Sequence, residues 1–391
     1  MNNKNKVYFF FVSLCVLSIF NGVRDPWNNT FGSEGAYTRW YFNYDYGFTK
    51  RGLVGELASL VDPHLSILDI QITYLFFVAI FSVLILLFYF LFLNDLTQYE
   101  TVLFMAWGVT SVGGIQQYFY DIGRFDVFGA ILIFLGTYIM VNIKGKIVNF
   151  FVCLVLSFLS ILIHEAYFLW VFPALLFVFC FVEKEIINCY TAGLVLCCAA
   201  FTSFVSSSSP DTFTSALSHS KELQSISPFE ISTQRIKPLY RTLEESILYN
   251  VENLSFFRDT FDTILVSSTF LLVLYPYFSF LRILHTIEDT KNFYIYLLLI
   301  VCSLAPISLY IAGYDHGRWW GMATVSWSVL FAVVLEGPNG TRIRHQLREN
   351  AHLLGLGVVA NLVFGPAGVT SLFPKSYAYR IVESIQSVLI G

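Results

Sequence analysis

Asp121-Ile122-Gly123-Arg124-Phe125 and Asp315-His316-Gly317-Arg318-Trp319 share the pattern D-x-G-R-aromatic. Asp45-Tyr46-Gly47-Phe48, followed by Lys50-Arg51-Gly52, is a looser third copy. A carboxylate, a glycine and a cation at this spacing can serve structure or chemistry. Asp caps a helix and Gly permits a tight turn. Capping does not account for the arginine, because a cation in the first turn of a helix opposes the macrodipole. Arg124 and Arg318 therefore need an anionic partner. A lipid phosphate at the interface would serve, as would a phosphorylated substrate gripped by the guanidinium fork.

His164-Glu165 is the second chemical signal: two ionisable residues in a short turn between apolar runs. Ionisable groups near membrane depth are costly and mark functional positions. Burial would raise the carboxyl pKa of Glu165 and suit it to general acid or base work. The structural alternative is a turn that must show something polar. The third signal is the aromatic stretch Arg39-Trp40-Tyr41-Phe42-Asn43-Tyr44-Asp45-Tyr46-Gly47-Phe48. An interfacial aromatic belt explains most of its rings, and Asp45 and Arg51 stand out from it. Arg235, Lys237, Arg241 and Arg258 read as a solvated amphipathic face or as a grip on a charged chain. The sequons at Asn28 and Asn253 are short enough to arise by chance. The sequence contains no P-loop, dinucleotide fingerprint, H-E-x-x-H or G-x-S-x-G.

The elements that must position these residues follow from composition. The chain has 391 residues, 56% hydrophobic and only 13% charged, with mean hydropathy +0.65. A soluble domain of this size needs more surface charge, so the expected fold is an all-α polytopic integral membrane protein. Apolar runs near spanning length lie at 7–22, 71–93, 99–117, 126–142, 147–163, 166–182, 187–205, 262–281, 293–312, 320–336 and 352–372, about eleven transmembrane helices. The first run has no cleavage signal after it and reads as a retained helix. Gly113-Gly114, Pro173, Pro276 and Pro306 are positions where these helices could break. The seven cysteines sit in apolar stretches and suggest neither a disulfide framework nor a zinc site.

Short basic segments at Lys4/Lys6, Lys144/Lys146, Lys184, Arg282/Lys291 and Arg342/Arg344/Arg348 predict a cytoplasmic N-terminus. The other face then holds a first loop (23–70), a large loop (206–261) with surface helices, and the turns near 118–125, 164–165, 313–319 and 373–391. That face carries more Lys and Arg than the cytoplasmic one. Long loops weigh little in topology, and the surplus is also what an anionic ligand would require. The whole chain, 1–391, reads as a single membrane domain. Its net charge of −4 and lack of a basic run give no sign of a nucleic-acid partner.

One face thus gathers the acids Asp45, Asp121, Asp126, Glu165 and Asp315 with the cations Lys50, Arg51, Arg124 and Arg318, beside His164, His316 and Trp319. The many-span layout, the large late loop and these Arg/Asp/His-Glu signals resemble bacterial O-antigen (Wzy-type) lipid-linked glycan polymerases. More broadly they resemble GT-C-like membrane glycosyltransferases. The stretches Asp45–Leu53 and Asp315–Trp319 are similar to segments of surface-polysaccharide proteins. The resemblance implies transfer of oligosaccharide repeats between polyprenyl-diphosphate carriers at the periplasmic face of the inner membrane. Membrane lipids would surround the protein, and a chain-length regulator could act beside it. Glu165, His164, Asp121, Asp315 and Asp45 would supply acid–base chemistry. Arg124, Arg318, Arg51, His316, Lys50 and Trp319 would hold diphosphate and sugar. No metal or other cofactor is expected if arginine carries the charge, and the first loop lacks the acidic pair usual in GT-C enzymes. The alternative is a transporter or flippase of a lipid-linked glycan, for which polar residues at the midplane and broken helices would be the sign.

Overall fold

The computed structural model describes residues 3–23, 34–92, 98–111, 113–210, 212–242, 244–248, 290–311 and 316–366. Their regular structure is all helical, with no strand among them. The chain opens with α1 (Asn3–Gly22), then α2 (Glu34–Tyr37) and a 3-10 turn (Thr38–Tyr41), α3 (Leu53–Ser59) and α4 (Ile67–Phe92). Next come α5 (Tyr99–Thr110), α6 (Ile115–Tyr120), α7 (Asp126–Asn142) and α8 (Lys146–Ile163). A 3-10 turn (Glu165–Leu169) leads into α9 (Val171–Glu183) and α10 (Cys189–Ser207). The second long loop holds α11 (Ala216–Ile226), α12 (Thr233–Ile236) and a 3-10 turn (Lys237–Tyr240). The last elements are α13 (Thr290–Leu304) with a 3-10 extension (Ala305–Ile311), α14 (His316–Leu335), α15 (Gly340–Glu349) and α16 (Ala351–Phe364).

Helix α4 shows why these elements form and what they face. Its 26 residues extend roughly 39 Å at 1.5 Å each, enough for a hydrocarbon core of about 30 Å. Ile70, Tyr74, Val78, Phe81, Ile85 and Phe88 are buried and recur at helical spacing. Leu68, Ile72, Phe76, Val83 and Leu87 on the other side are exposed yet equally apolar. A helix apolar all round, with half its circumference uncovered by protein, is built to face lipid.

Among the described residues, five segments are long and apolar enough to cross a membrane: Ile67–Phe90, Lys146–Ile163, Glu165–Glu183, Cys189–Ser207 and Gly317–Leu335. Lys6–Gly22, Asp126–Asn142, Phe293–Leu309 and Ala351–Val363 are shorter apolar helices. These nine segments overlap nine of the eleven expected runs. The run at 262–281 lies outside the described residues. The run at 99–117 is two helices, α5 and α6, separated at Ser111–Gly114.

The reason for that break is packing. A Cβ on Gly113 would overlap the carbonyl oxygen of Gly321 in α14, so two backbones meet there. The break strands carbonyl groups in an apolar interior, where each needs a partner. Gln116 Nε2 donates to Thr110 O at 2.7 Å and to Asn361 O at 3.3 Å. Asn361 Nδ2 in turn donates to Trp107 O at 3.4 Å. Pro306 has a comparable effect, since α13 gives way to 3-10 geometry at Ala305. Helix α14 is the central strut. It is buried along almost its whole length, and Gly321, Ala323, Thr324, Ser326, Ser328 and Ala332 keep it thin.

Away from that interior patch, two further sets of polar contacts tie the segments together. In one, Lys146 pairs with Glu185 at 2.5 Å, Asn149 Nδ2 donates to Glu183 at 2.8 Å, and Arg348 pairs with Glu100 at 2.8 Å. Arg344 also pairs with Glu336, and Asn339 Nδ2 donates to Tyr296 OH at 2.8 Å. These join segments whose basic residues predicted a cytoplasmic position. The other set joins the two long loops and the intervening turns. Ser232 N–H donates to Thr38 Oγ1 at 3.0 Å, Thr212 Oγ1 donates to Tyr46 O at 3.3 Å, and Phe229 packs edge-on against Tyr37 and Tyr41. The described parts of loops 23–70 and 206–261 thus form one layer of short helices.

Candidate functional site

Under that layer, residues from distant segments meet in a cluster of ion pairs. Arg51 sits just before α3 with φ +65, a left-handed conformation that costs a non-glycine residue about 1–2 kcal/mol. Its guanidinium grips Glu165, 114 positions on, with Nε at 2.8 Å and 3.1 Å from the two carboxylate oxygens and Nη2 completing a fork. A bidentate charge-assisted pair is strong enough to offset the backbone cost. Arg51 and Glu165 are also the most accessible of the pairs, 14% and 19% exposed at their side chains.

His164 precedes Glu165 in extended backbone and ends α8. Its Nδ1 accepts the Ala166 N–H at 3.1 Å, so the ring is neutral with its proton on Nε2. The ring stacks on Tyr167 at 5.4 Å. Burial, and then the Arg51 charge, push its pKa down from 6.5 to about 3, although Glu165 pulls the other way. As placed, His164 offers a donor at Nε2 and no free lone pair for a base.

Tyr167 links this pair to a second one. Its hydroxyl donates to Asp126 Oδ1 at 3.1 Å. Asp126 opens α7, where a carboxylate favours the helix dipole. It receives Arg318 Nε at 2.7 Å and Nη2 at 2.6 Å. This pair is nearly dry, with Arg318 3% and Asp126 7% exposed. Arg318 is the cation that opposed its own helix dipole, and the anion it required is Asp126, 192 positions away. Trp319, beside it, is buried.

The turn 121–124 adds a third pair. Gly123 has φ +91, and the Tyr37 ring lies where a Cβ would stand. Arg124 Nε is 3.5 Å from Asp121 Oδ1, and Gln117 Nε2 donates to Asp121 Oδ2 at 2.6 Å. Trp40 Nε1 donates to Gly123 O at 2.8 Å and pins the first loop onto this turn. Lys50 is buried, and its Nζ donates to the backbone carbonyls of Arg241 at 2.5 Å and Ser206 at 3.4 Å. Burial lowers its pKa.

The sequence-predicted residues Glu165, His164, Arg51, Lys50, Asp121, Arg124 and Arg318 thus share this polar layer. Asp45 does not join them: it is exposed and accepts from Asn43 Nδ2 at 2.7 Å in its own turn. The D-x-G-R echo is not a structural repeat either. Gly47 and Gly123 occupy positive-φ turns, whereas Gly317 lies within the first turn of α14. His316 opens α14, and Asp315 lies outside the described residues. Among the described residues, no three His, Cys, Asp or Glu side chains gather as metal ligands.

Arg39 is the residue that sequence reading passed over. It is 6% exposed, and its Nη1 is buried with no hydrogen-bond partner. The charges acting on it most are the repulsive ones of Arg124, Arg318, Arg51 and Arg235, and together with burial they lower its pKa well below the ordinary arginine value. The available signal was one cation inside the aromatic run 37–42, which an interfacial belt explains equally well. Among the described residues the cluster holds five cations, Arg39, Lys50, Arg51, Arg124 and Arg318, against the three carboxylates Asp121, Asp126 and Glu165. Such an arrangement can hold an anion and can present one partly exposed carboxylate, Glu165, beside it. No family model matches the chain, and no curated protein or solved structure matches it.

Proposed function

We propose that this chain is a membrane glycosyltransferase that moves oligosaccharide repeats between polyprenyl-diphosphate carriers, as a surface-polysaccharide polymerase does. Its N-terminus is cytoplasmic, and its site faces the extracytoplasmic side of the inner membrane. One observation carries the reading. Among the described residues, cations outnumber carboxylates in a largely buried cluster that sits at the ends of apolar helices, where the headgroup of a membrane-anchored diphosphate would lie. In the reaction, the bond from the anomeric carbon to the diphosphate oxygen breaks and its electron pair leaves with the diphosphate. The acceptor hydroxyl oxygen bonds to the anomeric carbon, and its proton passes to Glu165. Preorganised guanidinium groups would stabilise the leaving charge. Contrary to the expectation that burial would favour the protonated acid, the Arg51 fork keeps Glu165 a carboxylate. As the ligand draws Arg51 away, that carboxylate would act as the general base.

Glu165→Gln tests this, because it removes the base while keeping the size of the side chain. Surface glycan from a deletion strain should run as a single repeat on a gel. Re-expressing the native gene should restore the ladder, and the Glu165→Gln form should not. A full ladder in the deletion strain would remove the proposal. The break between α5 and α6 favours a second reading, a transporter of the same lipid-linked glycan. Gln116 and Asn361 already satisfy carbonyls at that break, which suits a fixed kink better than a moving gate. Complete loss of surface glycan in the deletion strain would favour the transporter.

A further inference from the structure

We propose that Arg39 is the residue that binds the phosphoryl oxygens of the anionic ligand, while Arg51, Arg124 and Arg318 chiefly position the carboxylates around it. The proposal rests on the reading above that the site takes a phosphorylated ligand, and it names the atom that does the holding. Arg51 and Arg318 each spend a two-pronged fork on a carboxylate, and Arg124 lies beside Asp121. Arg39 is buried like Arg124 and Arg318, yet its Nη1 has no partner, and no carboxylate pairs with it among the described residues. Its place in the fold is fixed on both sides. Trp40 binds the backbone of Gly123, and Thr38 accepts from Ser232. The 3-10 turn that carries Arg39 is thereby held between the 121–124 turn and the second long loop. Arg235 packs on Gly35 of the preceding helix, which brings another guanidinium to that side.

A buried charge that is repelled by its neighbours is a cost to the unliganded fold. A protein keeps such a group where a ligand supplies the missing counter-charge, and phosphate oxygens match the planar guanidinium fork. A purely structural arginine behaves in the opposite way. Removing Arg318 strands Asp126, whereas removing Arg39 strands no carboxylate among the described residues.

The test uses the full chain purified in detergent, with farnesyl diphosphate and inorganic pyrophosphate as probes. Melting temperature and binding are measured for the native protein, Arg39→Gln, Arg39→Lys and Arg318→Gln. Without ligand, Arg39→Gln should melt at or above the native protein, while Arg318→Gln melts below it. Farnesyl diphosphate should raise the native melting temperature. Its binding should weaken at least about tenfold in Arg39→Gln, the loss of one charge-assisted hydrogen bond, and less in Arg39→Lys, which keeps the charge without the fork. Native-like binding by Arg39→Gln, or no binding of either probe to the native protein, overturns the proposal. So does an Arg39→Gln protein as unstable as Arg318→Gln. If pyrophosphate binds as tightly as farnesyl diphosphate and both depend on Arg39, the assignment of Arg39 stands and the lipid-linked substrate falls.

Discussion

Asp126 and Arg318 show how one residue's role is decided by another far along the chain. Breaking a buried pair leaves the survivor charged and unsolvated, typically a loss of 3–5 kcal/mol, roughly. Asp126→Asn and Arg318→Met should therefore each lower the melting temperature of the purified protein sharply. The double change Asp126→Leu/Arg318→Met should recover much of that loss, because neither charge remains. A double variant no better than the singles would contradict the pairing. His164 gives a pH prediction. Its pKa in the fold is depressed from 6.5 to about 3, so the unfolded chain binds its proton more readily. Its contribution is whole above pH 6.5 and is lost as pH falls from there toward 3, by about 1.4 kcal/mol per pH unit for one proton. Melts of native protein and His164→Asn between pH 7 and 5 should converge as pH falls, and parallel curves would refute the neutral buried ring. These pairings were not legible in the sequence. Arg318 pairs with an aspartate 192 positions away, a contact set by how α7 and α14 pack and invisible to any local spacing. His164-Glu165 was legible because two ionisable residues interrupt an apolar stretch, and that contrast is local.

Among the elements, α14 depends on backbone contact with the break between α5 and α6. Gly113→Ala would place a methyl group into the Gly321 carbonyl. Overpacking of this kind costs about 1–3 kcal/mol, and the variant should melt lower and elute more broadly than the native protein. An unchanged melt would mean the two backbones do not meet. The sequence displayed Gly113-Gly114 as a point where a helix could stop. It did not display the polar patch that completes the break, because Gln116 and Asn361 are separated by 245 positions. Element type was easy to read in long apolar runs. Element length was not, since a run of apolar residues looks the same whether its helix is continuous, kinked or rewound as 3-10.

At the scale of the molecule, the apolar, lipid-facing exterior of α4 and the peripheral α10 follow directly from composition. Sidedness is measurable by cysteine labelling in a background lacking the native cysteines. A Cys at Ser225, exposed in the second long loop, should react with a membrane-impermeant maleimide on intact cells. A Cys at His345, exposed on α15, should react only after the membrane is opened. The reverse pattern would invert the topology and place the arginine cluster in the cytoplasm.

The central claim is that this cluster catalyses transfer between lipid carriers. The most direct measurement is to reconstitute the purified protein in liposomes with a polyprenyl-diphosphate-linked oligosaccharide repeat, and to follow carrier-linked chain length. The account predicts dimers and longer chains with release of free polyprenyl diphosphate, both abolished by Glu165→Gln. Repeats that stay single while crossing the bilayer would contradict it and identify a transporter.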